Sequence, residues 1–172
     1  MKQSIIIIAI FTFSIIKIQA QTPKPGEYRI NNSLLKFEGS WIWFNGTDTL
    51  KLVLKKEKLH QPPGFAFNFY FDAIVGWYLY KKGNIIIENS LSFANTSYYD
   101  GHSSILGGNK NGKETLEGNI KDSKKNKFAA ITLTLNASHT SLHWKLNNNE
   151  GVRIGKYDHG FSLPKTGILA KE

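Results

Sequence analysis

The chain of 172 residues contains no cysteine. Disulfides, thiol nucleophiles and thiolate metal sites are thereby excluded, so stability has to come from packing. Acidic residues are scarce: 13 Asp and Glu stand against 22 Lys and Arg, a formal charge of +9. A membrane-crossing helix needs about 20 apolar residues, and only the stretch from Ile5 to Ile16 comes near that. Sustained helical periodicity is missing too. What remains is a chain of single-domain size that builds its core from strands.

Met1-Lys2, the apolar run Ile5 to Ile16, and Ile18-Gln19-Ala20 before Gln21-Thr22-Pro23 read as a signal peptide cleaved after Ala20. The expectation is a secreted or periplasmic protein with no transmembrane segment after signal removal. Loss of Lys2 and Lys17 leaves 20 basic residues against 13 acidic ones, a charge of +7. Residues 21–31, with Pro23, Pro25 and Gly26, read as a flexible leader without a regular element. Residues 32–172 form the single all-β domain.

Asn32 or Ser33 is the expected cap of one helical turn through Leu34, Leu35 and Phe37, ended by Gly39. From Trp41 the period becomes two: Trp41 and Trp43 alternate with Ile42 and Phe44, and Asn45-Gly46 signals a hairpin. Leu50, Leu52 and Leu54 then point inward. After Gln61-Pro62-Pro63-Gly64, apolar residues at odd positions from Phe65 to Leu79 read as core wall, with Tyr70, Tyr78 and Tyr80 opposite. So long a run predicts a bend or bulge near Asp72 or Gly76.

Lys81-Lys82-Gly83-Asn84 turns into Ile85 to Glu88. Short strands follow near Ser104 to Leu106 and Thr115 to Ile120, then a hairpin of Ile131 to Leu135 with Leu142 to Leu146. Ile168 to Lys171 reads as a closing edge strand. About eight to ten antiparallel strands in sequence order predict an up-and-down barrel or a two-layer sandwich.

Phe37-Glu38-Gly39-Ser40-Trp41 resembles the start of a lipocalin barrel, where a helical turn precedes Gly-x-Trp. The resemblance implies that Trp41 closes one barrel end and that a late arginine, Arg153, packs over it. No Thr-Asp-Tyr-like second lipocalin motif is present. The mature chain also resembles a family of small uncharacterised secreted proteins from Bacteroidota. The segments carrying this are Gly39-Ser40-Trp41-Ile42-Trp43, Gly46-Thr47-Asp48-Thr49, Val75-Gly76-Trp77 and Leu163-Pro164. That resemblance implies secretion and fold, and no reaction.

His60, His102, His139, His143 and His159 are spaced in ways that do not predict a metal site, His139 and His143 spanning a turn rather than a helix. Asp158 and His159 are adjacent, and adjacent side chains diverge on a strand, while Asp100-Gly101 before His102 reads as turn chemistry. Ser103 lacks the context of a nucleophile elbow. The expectation is therefore no enzyme, no cofactor and no metal.

Trp43, Tyr70, Tyr78 and Tyr80 are the candidate ligand residues, since cups that combine aromatic surface with polar tips take small apolar or saccharide ligands. Lys55, Lys56, Lys58, Lys81, Lys82, Lys121, Lys124, Lys125 and Lys127 cluster near strand ends. They keep open the alternative of an envelope-associated interaction module facing an anionic envelope surface. Nucleic acid is not expected outside the cell. Asp48-Thr49-Leu50 resembles an O-glycosylation acceptor of Bacteroidota.

Overall fold

The computed structural model describes residues 23–61, 68–109, 112–149 and 158–172. The signal-peptide reading, Phe65, Phe67, the loop residues Pro62, Pro63 and Gly64, and Arg153 lie outside the described residues. Among the described residues ten strands are present: β1 (Tyr28–Arg29), β2 (Gly39–Asn45), β3 (Asp48–Gln61), β4 (Phe69–Lys82), β5 (Ile85–Asn89), β6 (Ile105–Asn109), β7 (Thr115–Asp122), β8 (Lys127–Leu135), β9 (Ser141–Asn148) and β10 (Thr166–Lys171). Among the described residues no helix is long and apolar enough to cross a membrane.

Eight of these strands close into an antiparallel up-and-down barrel in the order β2, β3, β4, β6, β7, β8, β9, β10, which settles barrel against sandwich. Closure removes the sheet edges at which strands of different molecules would pair. The tail strand is closing but not an edge, because β10 pairs with both β9 and β2. Asn45 ends β2 opposite Asp48, so the two-residue turn is Gly46-Thr47, and Gly46 alone supplies the positive φ, +59°. That shifts the Asn-Gly signal by one residue.

β4 organises the molecule. It pairs with β3 without interruption from Phe69 to Lys81, so the bulge expected near Asp72 or Gly76 is absent; the only register shift lies against β5, between Tyr80 and Lys81. The other edge of β4 is shared by β1, β6 and β5 in turn. Its face assignment is also corrected. Ile74, Tyr78 and Tyr80 belong to the core cluster, while Val75 and Trp77 are buried outside it. On that outer side Lys55 lies over the Trp77 ring at 6.0 Å, and the Tyr98 amide donates to Glu57 at 2.9 Å. Burial on both faces is why the run is apolar at nearly every position.

The interior is filled by the protein's own side chains. Trp41, Leu52, Leu133, Trp144, Leu146 and Leu169 are each 0% exposed. An eight-stranded barrel is just wide enough for such filling. A 3-10 helix, Asn32–Phe37, closes the base with Leu34 and Phe37. Its N-cap is Asn31, not Asn32 or Ser33, and it makes no side-chain capping bond. Trp41 Nε1 donates to Phe37 O at 2.9 Å, and the cation over its ring is Lys171 at 5.1 Å. Gly39, at φ +118°, leaves room there: a Cβ would lie 3.3 Å from Lys171 Cε.

Part of the expected leader is ordered structure, because β1 pairs in parallel with Tyr70 and Phe71. Asp72 ties it down, accepting from Tyr28 Oη at 2.6 Å, the Asn31 amide at 2.8 Å and Lys56 Nζ at 3.1 Å. Burial raises the Asp72 carboxyl, and these donors outweigh it, leaving the group below its usual range. A depressed carboxylate adds stability above its ordinary pKa of about 3.9 and loses it as pH falls through the lowered value. Asp72→Asn is expected to cost about 1–2 kcal/mol at pH 7. The gap to the natural protein should close at an acidic pH below that lowered value. Urea midpoints at the two pH values check this, and an unchanged gap refutes it.

Candidate functional site

β6 begins only at Ile105, opposite Gly76 and Ile120. Towards the mouth the edge of β4 belongs to β5, which pairs with β4 and not with β7. The barrel wall therefore parts there, between β5 and the turn joining β7 to β8. A cleft of about 500 Å³ occupies the gap, lined by Tyr78, Ile87, Glu88, Asn89, Ser90, Ser104, Ser123 and Lys124. A second, of about 350 Å³, shares Ile87 and Lys124 with it and adds Tyr80, Lys82, Lys125, Phe161, Ser162, Leu163 and Pro164. Both volumes lie in the range of small-molecule sites.

Glu88 bridges the parted wall. Its carboxylate accepts from the Ser123 amide at 2.9 Å, the Lys124 amide at 3.3 Å, Ser162 Oγ at 2.5 Å and the Tyr78 hydroxyl. Asp122, 0% exposed, accepts from the Lys125 amide at 3.0 Å and from Ser162 through its amide at 2.8 Å and hydroxyl at 2.6 Å. The segment leading into β10, with Ser162 and Pro164, is thus clasped over the mouth, Trp144 Nε1 donating to Pro164 O at 2.9 Å. Burial, then the Glu88 hydrogen bond, keeps the Tyr78 phenol protonated far above its usual range. Tyr80 is raised in the same direction by burial and by Asp48, whose carboxylate it meets at 3.3 Å.

The four residues nominated from the sequence do not form one cup. Tyr78 and Tyr80 line the clefts but are 1% and 6% exposed, so they supply floor rather than stacking surface. Trp43 is partly buried against the core, close enough to Gly167 that a Cβ there would sit 2.8 Å from its indole nitrogen. Tyr70 is on the β4 stretch that pairs with β1, stacked on His60 at 4.6 Å with Lys58 Nζ 4.3 Å from its ring. Sequence reasoning missed Glu88, Asp122, Phe161 and Ser162. No local pattern marks Glu88, which is buried in a strand whose Ile85 and Ile86 are exposed.

The histidines are dispersed. His139 pairs with Glu114 at 2.9 Å, His143 meets Thr166 at 3.1 Å and His102 stacks on Phe93 at 4.1 Å. Among the described residues no group of three or more His, Asp or Glu is placed to hold a metal ion. Asp100 is spent in a capping box with Ser97, and Asp158 in an ion pair with Lys125 at 2.5 Å.

Among the described residues, fold and site together define an internally filled β-barrel with two clefts at a parted wall near its mouth. The chain belongs to the family of unknown function DUF6705, which it matches over residues 1–172. No curated protein and no solved structure matches it.

Proposed function

We propose that this is an exported, lipocalin-like binding module, not an enzyme, and that it takes a small ligand in the mouth cleft rather than inside the barrel. The single observation that carries the reading is the contrast between a filled interior and the open, partly polar space beside β5. Such a space combines an apolar floor with a few polar groups, as ligand sites do. Export rests on the N-terminal sequence, Met1-Lys2 and the apolar run Ile5 to Ile16 before Ala20.

A second reading is favoured by the packed interior itself: an envelope-associated interaction module with no ligand, using lysines of the mouth rim such as Lys82 and Lys124. Native mass spectrometry of the protein purified gently from its own periplasm or medium separates the two. The expected result is a chain beginning at Gln21 that releases a bound small molecule on denaturation. A bare polypeptide mass would remove the ligand reading in favour of the surface module, and a chain retaining Met1 to Ala20 would remove cleavage after Ala20.

A further inference from the structure

We propose that the ligand of the mouth cleft is an acidic saccharide, its carboxylate held by Lys82 and Lys124 and its hydroxyls by Asn89 and Ser123. This rests on the mouth cleft being the ligand site. The acceptors in and behind the cleft are already engaged, since Glu88 and Asp122 between them face six protein donor groups, the Ser162 hydroxyl being shared by the two. Its donors are not. Among the described residues the ammonium groups of Lys82 and Lys124 have no carboxylate partner, whereas Lys125 is neutralised by Asp158. Among the described residues Asn89 uses only its carbonyl oxygen, towards the Leu91 amide.

A surface with surplus donors and filled acceptors selects a ligand rich in acceptors and negative in charge. A purely apolar ligand would strip water from these groups without replacing its hydrogen bonds. A lone small anion would leave most of the space of about 500 Å³ and about 350 Å³ empty. Ile87 and Phe161, only partly buried against the core, offer the apolar surface on which the C–H face of a sugar ring rests. The two lysines come from opposite banks, the end of β4 and the turn between β7 and β8, so one bound carboxylate would span the gap.

Isothermal titration with trigalacturonate, maltotriose, decanoate and inorganic phosphate tests this on the mature protein, on K82A/K124A and on the distal control K113A/K145A. Trigalacturonate is expected to bind at least about tenfold more tightly than maltotriose, because charge-assisted bonds are the strong ones. K82A/K124A should lose at least about tenfold in affinity for trigalacturonate, and added salt should weaken it. The control should match the natural protein. Equal binding of maltotriose, preference for decanoate or phosphate, or no effect of K82A/K124A overturns the acidic-saccharide assignment while leaving a ligand at the mouth. An equal loss in K113A/K145A reveals diffuse charge attraction and overturns it too. If no probe binds, the assignment falls, and the mouth reading is then decided separately by whether a small molecule co-purifies.

Discussion

Trp41→Ala is expected to destabilise the protein by about 3–5 kcal/mol, the range for emptying a large aromatic from a packed interior. Trp41 is 0% exposed and sits on β2 opposite Leu52, which in turn faces Tyr78 on β4. Its removal opens a void across three strands at the base. The same change orphans Phe37 O, the acceptor of the indole N–H, and takes the aromatic face from under Lys171. The 3-10 helix that plugs the base then loses its tether to the first barrel strand. Trp41→Phe keeps most of the volume and should cost roughly half as much. Urea titration followed by circular dichroism measures both, and an alanine variant within about 1 kcal/mol of the natural protein would show that the base is closed by something other than this side chain.

Glu88→Ala is the second large effect, about 3 kcal/mol, for a different physical reason. Little apolar volume is lost. What disappears is the acceptor shared by two backbone amides and two hydroxyls, and buried donors left unmade cost about 1–3 kcal/mol apiece unless water reaches them. The open cleft beside Glu88 admits water, which holds the total below the sum of those costs. Glu88→Gln retains one acceptor oxygen and turns the other into a donor, so it should recover part of the loss. Hydrogen exchange supplies the specific readout: the Ser123 and Lys124 amides should lose protection while Leu133 and Leu146 keep theirs. Uniform loss across the barrel would mean that Glu88 holds the whole fold rather than the mouth alone.

Much of the barrel is legible along the chain because each hairpin is a local event. Trp41 and Trp43, Leu50 to Leu54, Ile131 to Leu135 and Leu142 to Leu146 alternate as half-buried strands must, and all but the partly buried Trp43 and the half-buried Val53, Thr132, Thr134 and similar outward positions face the filled interior as expected. β4 was misread where alternation stopped carrying information. With apolar or aromatic residues on both faces, the pattern cannot say which face is inside, and the outer cover comes from residues some 20 positions away, around Phe93 and Tyr98. The candidate site suffered the same way. Tyr78 and Tyr80 were found because aromatic residues stand out, but their role as floor depends on Glu88, Asp122 and Ser162, which lie far apart in the chain.

By itself, then, the amino-acid sequence determined the class of this protein: no disulfide, one core, strands meeting at short turns, and a surplus of positive charge. Those properties follow from composition and from contacts between near neighbours. Closure of the barrel by β10 between β9 and β2, the filling of its interior, and the parting of β5 from β7 were decided only by tertiary structure. Each depends on which distant strands share an edge, and edge sharing leaves no trace in local periodicity because a strand reads the same whichever neighbour it pairs with.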